Sequence, residues 1–493
     1  MKTLNTFIAL VLVVALGGIL FYLNRHPAKA PTDANAKQKL FSFQADQLKE
    51  FTIETPDQPA VTIRRAAKTT NPPAGSPGTA QWEVVSPAGV AGDNSEIQSF
   101  VEALPKQEYT PLEAQTPASL GEYGLDHPVR TLKLQPAQGQ PVTLLIGKEN
   151  PGGSSKYAML SSSPGLFLLD TYENKDLEKT LYDLRDKRIL PISGDKVQRV
   201  ELRFDPSGRQ PAAEIEKGRR LGLPVKPPKI VMTKQANGNW ELTDPAVRTS
   251  TTDANYFVTA VGSALMKAVE SENPKSLSAY GLDRPQIRVE VTTADGTHSL
   301  LVGKKKEDNQ KPGEAGKAGA NKGQDVGYYA KNSDWPVVFT IHDAIFDQLN
   351  QDLDTYRNRS LFDFESPDAA RRIEIQGPQG ELRLDKKDAE WFKAGATPTK
   401  VDASKVNAWL EAVHMVRIQH FTEDKAGHLA EYGLQKPWMT VKVTYGEANK
   451  EETVLFGQKN KKFYGARTDG SSVYELGPND QETVESKLKE LSQ

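Results

Sequence analysis

Apolar and polar positions alternate at the start of three separate regions: Phe51 and Ile53, then Val200, Leu202 and Phe204, then Ile373 and Ile375. A period of two places such side chains on one face of a sheet. A second alternating stretch follows each (Val61 and Ile63; Ile230 and Met232; Leu382 and Leu384), and then a strand bearing Trp82, Trp240 or Trp391. The period then changes. Ile97, Phe100, Val101 and Leu104, and likewise Val406, Trp409, Leu410 and Val413, fall at i, i+3, i+4 and i+7, which predicts one apolar helical face. The middle region is looser here, with Val258, Val261 and Leu265. Alternation returns at Leu132 and Leu134, at Ile287, Val289 and Val291, and at Val441, Val443 and Tyr445. Each region is expected to close with a helix, over 177–188, 345–359 and 481–491. The short turns between strands favour antiparallel pairing, because parallel pairs need long crossovers.

The three regions are copies of one unit. Tyr123-Gly124-Leu125-Asp126-His127-Pro128 recurs as Tyr280-Gly281-Leu282-Asp283-Arg284-Pro285 and as Tyr432-Gly433-Leu434-Gln435-Lys436-Pro437. Trp82, Trp240 and Trp391 precede the three motifs at nearly constant distance. An apolar-Gly pair follows each (Ile146-Gly147, Val302-Gly303, Phe456-Gly457), and then a Tyr-small pair (Tyr157-Ala158, Tyr329-Ala330, Tyr464-Gly465). Four landmarks kept in order three times over define a tandem repeat. In the motif itself, Gly permits a positive φ and Pro excludes helix just before it, so Tyr-Gly-Leu-x-x-Pro reads as a stop and turn.

Ahead of the repeats, no charge occurs between Lys2 and Arg25, and 7–23 is almost wholly apolar. That run matches the roughly 20 residues needed to cross a bilayer, and Tyr22-Leu23-Asn24 is a poor cleavage site. The expected fold is therefore α+β: one N-terminal transmembrane helix followed by three tandem repeats, each a mostly antiparallel sheet with two helices. The expected boundaries are 1–24 for the anchor, 25–40 for a tether, and 41–190, 191–362 and 363–493 for the repeats. Segments 66–80, 205–229 and 304–327 lack the apolar residues to pack and are expected to be mobile insertions. Lys2 on one side and Arg25 with Lys29 on the other leave the charge rule for orientation nearly balanced. No second spanning segment follows, so the bulk is expected on one side, outside the cytoplasmic (inner) membrane, in the periplasm.

Composition changes the picture by exclusion. The 493 residues include 62 Lys+Arg, 64 Asp+Glu and no Cys. Disulfides, thiolate metal sites and cysteine nucleophiles are excluded, and near-neutral charge gives no reason to expect nucleic acid. Gly147-Lys148-Glu149-Asn150-Pro151-Gly152-Gly153-Ser154-Ser155 lacks the lysine placement of a phosphate loop and reads as a hairpin. His26, His127, His298, His342, His414, His420 and His428 show no metal-ligand spacing. Lys304-Lys305-Lys306 reads as a solvated loop, and Tyr123, Tyr280 and Tyr432 as core plugs. No catalytic, cofactor-binding or metal-ligating residue can be named, and no cofactor is expected.

The Tyr-Gly-Leu-x-x-Pro turn, the Ile-Gly and Tyr-Ala pairs and Leu184-Arg185-Asp186-Lys187 resemble the bacterial family called domain of unknown function 4340, in three copies. The third departs, with Gln435 for Asp, Gly465 for Ala and no Arg-Asp-Lys ending. The resemblance implies a single-span envelope protein, similar to auxiliary proteins of gliding-motility-type ABC transporters, with no catalytic residues to carry over. The expected partners are the membrane and other envelope or transporter proteins. The expected role is a non-catalytic accessory or scaffold protein; the alternatives are an envelope glycan- or peptide-binding module and a hydrolase.

Overall fold

The computed structural model describes residues 36–66, 82–113, 119–163, 165–205, 217–220, 225–307, 326–425, 427–470 and 472–493. The chain divides into two compact units, one ending at Lys187 and the other running from Arg188 to Gln493. The first repeat lies in the first unit; the second and third lie together in the second.

The first repeat contains β1 (Gln38–Lys39), β2 (Leu48–Glu54), β3 (Val61–Arg65), β4 (Trp82–Ser86), α1 (Asn94–Ala103), β5 (Glu108–Glu113), β6 (Arg130–Pro136), β7 (Val142–Glu149), β8 (Ser155–Leu160), β9 (Leu166–Asp170) and the short α2 (Leu181–Leu184). The second has β10 (Val197–Phe204), β11 (Lys229–Lys234), β12 (Trp240–Asp244), β13 (Ala246–Val247), α3 (Thr251–Ser263), β14 (Ala268–Ser271), β15 (Ile287–Thr293), β16 (Gly296–Lys305), β17 (Tyr328–Asn332), β18 (Val338–Ile341) and α4 (Asp343–Leu349). The third has β19 (Ala370–Gly377), β20 (Gly380–Lys387), β21 (Glu390–Lys393), β22 (Thr399–Val401), α5 (Ala403–His414), β23 (Ile418–Glu423), β24 (Met439–Tyr445), β25 (Lys450–Lys459), β26 (Lys462–Arg467), β27 (Val473–Leu476) and α6 (Asp480–Ser492).

Each repeat is one nine-stranded sheet. From the Trp-bearing strand the orders are β4-β3-β2-β6-β7-β8-β9-β5, β12-β11-β10-β15-β16-β17-β18-β14 and β21-β20-β19-β24-β25-β26-β27-β23. These eight-stranded orders are identical position for position. Only the ninth strand differs: β1 lies beyond β5, whereas β13 and β22 lie beyond the Trp strand. A register shift recurs where the first strand pairs across the sheet, at Leu48/Glu50, Val197/Arg199 and Ala370/Arg372. The repeated landmarks therefore encode one topology used three times.

The helix between the Trp strand and β5, β14 or β23 must cross the sheet, because those strands sit at opposite ends of the shared eight-stranded order. Side chains of Asp93, Ser250 and Asp402 cap the starts of α1, α3 and α5 by accepting from backbone amides in the first turn. The crossing buries Ile97, Phe100 and Val101 of α1 and Val406, Trp409, Leu410 and Val413 of α5. Phe100 meets Phe51 of β2 with ring centroids 5.0 Å apart.

The fold differs from the expected one in two respects. The closing helices are largely absent. Over 177–188 the chain forms a 3-10 turn, Lys175–Glu178, and then only the four residues of α2. Arg130 explains the break, because its Nη1 donates to the carbonyls of Leu177 and Lys179 at 3.0 and 2.6 Å and takes the place of continued helical bonds. α4 is likewise short, and the helix expected over 345–359 gives way to a 3-10 turn, Leu353–Tyr356; only α6 is a full closing helix. Strands fill the difference, with β5, β14 and β23 standing between the crossing helix and the Tyr-Gly-Leu turn. The second correction concerns the membrane helix. No helix among the described residues is long and apolar enough to cross a membrane. The longest, α3 and α6, have 13 residues each, against the ~20 a span requires. The architecture is three nine-stranded antiparallel sheets with few helices, and the segment expected to span the membrane lies outside the described residues.

Candidate functional site

The landmarks shared by the repeats converge on one packing device. Gly124, Gly281 and Gly433 end short 3-10 turns in the left-handed region, with φ of 66, 67 and 71°. The turn pushes the preceding Tyr carbonyl against the next hairpin. A Cβ on Gly147, Gly303 or Gly457 would sit 2.1, 2.1 or 2.4 Å from the carbonyl oxygen of Tyr123, Tyr280 or Tyr432. Glycine is required there because the two backbones touch. The motif tyrosine then packs edge-on against the tyrosine of the Tyr-small pair: Tyr123–Tyr157 at 4.9 Å, Tyr280–Tyr329 at 5.1 Å and Tyr432–Tyr464 at 5.1 Å. The three tryptophans are buried, each beneath a cation from the neighbouring strand: Arg65 over Trp82, Lys234 over Trp240 and Lys386 over Trp391.

A cleft of ≈ 1190 Å³ opens in the second unit between the second and third repeats. The β12–β13 hairpin supplies Trp240, Glu241 and Ala246 to one wall, while the β26–β27 turn supplies Asp469 and Gly470 to the other. A charge network forms its floor. Arg467, at the end of β26, is buried and lies 2.6 Å from Asp469, 3.2 Å from Asp363 and 3.4 Å from Glu452, which is also buried. Arg248, from the second repeat, pairs with Asp363 and donates to the Ser360 carbonyl at 2.7 Å. Burial works against the Arg467 charge, but the Asp469 hydrogen bonds and the Asp363 and Glu452 charges outweigh it and hold the guanidinium above its ordinary pKa. The same Arg467 hydrogen bond keeps the Asp469 carboxyl below the usual range. Burial and a hydrogen bond to Glu452 push the Tyr445 hydroxyl up. Such an arrangement binds charge and fixes geometry.

Other residues singled out in the sequence are dispersed. Residues 147–155 form the β7–β8 hairpin, closed by Asn150 N donating to Ser155 O at 2.8 Å. His127, His342 and His420 are exposed; His298 pairs with Asp334 at 2.8 Å; His414 packs on Phe364; and His428 reaches Glu423 at 3.2 Å. His26 lies outside the described residues. Among the described residues no group of three or more His, Asp or Glu is arranged to hold a metal. Lys305 and Lys306 pair with Asp343 and Glu270, each at 2.7 Å. Insertion 66–80 beyond residue 66 and most of 304–327 lie outside the described residues. Within 205–229, residues 217–220 form a helical turn whose Arg219 is fully buried, contrary to the expectation of a mobile loop.

Two features escaped the sequence reading. Each repeat opens with a buried segment, Leu40-Phe41-x-Phe43, Ile189-Leu190-x-Ile192 and Leu361-Phe362-x-Phe364, and the first and third of these join the core of their own sheet. Its two-plus-one apolar spacing was visible but is too short to register as a periodic element. The second is the acidic and basic cluster around Arg219. Arg219 lies more than 130 residues from Asp354 and further still from Asp424, so no local pattern joins them.

The family described as Domain of unknown function (DUF4340) matches residues 82–261, 317–399 and 391–493, more than half of the chain. No curated protein and no solved structure matches it. With the same strand order built three times around the same glycines and aromatics, the chain belongs to the DUF4340 family and carries that domain in tandem.

Proposed function

We propose that the protein is a non-catalytic accessory or scaffold protein of a cell-envelope complex, acting outside the cytoplasmic membrane beside other envelope or transporter proteins. The observation that supports this reading is the use made of the repeated residues. They set turns, close backbone contacts or fill cores (Gly147, Gly303, Gly457 and the three tryptophans among them). The tyrosines pack on one another, Tyr432 and Tyr464 buried, Tyr123 and Tyr280 only half-buried rather than plugging a core. What the repeat preserves is a framework, used three times along the chain. The placement rests on the uncharged run between Lys2 and Arg25, an export-type segment whether it is retained or removed. A second reading, a module for an envelope glycan or peptide, is favoured by the cleft. Its ≈ 1190 Å³ exceeds the usual small-molecule range, and Gln235, Asn237 and Asn239 line it with amides suited to hydroxyl or peptide groups.

The scaffold reading is tested by affinity purification from solubilised envelope fractions, paired with protease accessibility. The chain should bring down the same few envelope proteins in near-stoichiometric amounts, and protease added outside the cytoplasmic membrane should digest residues 41–493. Purification of the chain alone from cells in which it functions, or protection of that region, contradicts the reading.

A further inference from the structure

The turn at 217–220 contributes no strand to any sheet, yet its two arginines are seated among carboxylates. Arg219 Nη1 donates to Asp354 Oδ1 at 3.1 Å and to the Phe421 carbonyl at 3.3 Å, and its Nε lies 2.6 Å from Asp424 Oδ2. Arg220 Nη2 lies 2.6 Å from Glu423 Oε1, Nη1 lies 3.7 Å from Glu431, and His428 also touches Arg220. Glu423 is fully buried at the end of β23. Its Oε1 accepts from the Tyr432 hydroxyl at 2.9 Å, while its Oε2 has no hydrogen-bond partner. Arg357, buried and stacked over the Phe421 ring at 3.8 Å, approaches Asp424 at 2.8 Å.

The charges explain why something must fill this pocket. Asp354, Glu423, Asp424 and the more exposed Glu431 bring four carboxylates, and Arg357 supplies one positive charge. Arg219 and Arg220 offset two of the three that remain, including the fully buried Glu423. An uncompensated buried carboxylate is costly, so the pocket selects for arginine. Planar guanidinium groups, with several donors in a fixed fork, suit it better than ammonium groups.

We propose that the join of the second and third repeats is an arginine-recognition pocket, occupied here in cis by the 217–220 turn, and that its trans ligand is a partner's peptide segment bearing adjacent arginines. The pocket does not depend on the scaffold reading; it extends that reading by naming the chemistry a partner presents. Peptide binding in vitro tests the pocket alone, whereas co-purification tests the scaffold.

The test uses the full chain carrying Arg219→Lys/Arg220→Lys or Arg219→Ala/Arg220→Ala, with a fluorescently labelled peptide of residues 213–224 followed by anisotropy. Both variants should bind the peptide saturably and about tenfold or more tightly than the unsubstituted chain, whose own turn competes. Binding should vanish when the peptide arginines are replaced by alanine, and when Glu423→Gln/Asp424→Asn is added to the protein. No binding by a variant with native circular dichroism and melting assigns the arginines to structure and overturns the proposal. Failure of both variants to fold overturns it as well.

Discussion

Trp391→Ala should lower the stability of the second unit by about 3–5 kcal/mol, the usual result of emptying a buried tryptophan site. Trp391 is 1% exposed and belongs to the core formed by the β19–β27 sheet with α5 and α6. Neighbours on sheet and helix cannot both close over the void. A folded domain is stable by only ~5–15 kcal/mol, so the loss would shift urea unfolding to clearly lower concentration without changing its slope. Trp438→Ala is the control. That side chain is only partly buried at the core's margin, and its loss should cost less than half as much. Equal shifts for the two variants would show that the Trp strand does not anchor the sheet.

Arg467→Ala should be equally damaging for a different reason. The substitution strands Glu452, 3% exposed, beside Asp363 and Asp469 with the central positive charge gone. Breaking one member of a buried ion pair typically costs about 3–5 kcal/mol, most of it from the charge left behind. Glu452→Gln in the Arg467→Ala background should therefore restore part of the lost stability, a non-additivity readable by double-mutant thermal or chemical unfolding. If the two substitutions add, the network is not coupled and the cleft floor is held by something else.

The parts of the fold legible in the sequence were those carried by local pattern. Alternation around Phe51, Val200 and Ile373 marked first strands, and the face of Ile97, Phe100 and Val101 marked a crossing helix. Tyr-Gly-Leu marked a turn because a left-handed glycine has few other uses. The second glycine of each device, such as Gly303, stood out only as a repeated letter; its reason is the Tyr280 carbonyl 2.1 Å from where a Cβ would go, a contact between distant segments. β14 was missed because it offers little apolar content, reading Ala-Val-Glu-Ser with none of its residues buried; β23 was missed because its core residues, Ile418 and Phe421, are three apart and do not alternate at period two. The closing helices were over-read because Leu177, Leu181 and Leu184 fall at near-helical spacing while Arg130 from β6 caps the chain midway. The candidate sites were least legible. Arg467 with Asp363, and Arg219 with Asp354 and Asp424, are joined only by the tertiary fold, and each residue alone looks like an ordinary surface charge.

The most direct measurement of the central claim is complementation of a deletion strain by single substitutions along the cleft, Asn237→Ala, Asn239→Ala, Glu241→Gln and Asp469→Asn among them, with protein abundance and partner capture measured in parallel. If the protein works as a framework for docking, activity should follow abundance and partner capture in every variant. A folded, normally abundant variant that still captures its partners but supports no activity would contradict the account and place a reacting group in the cleft.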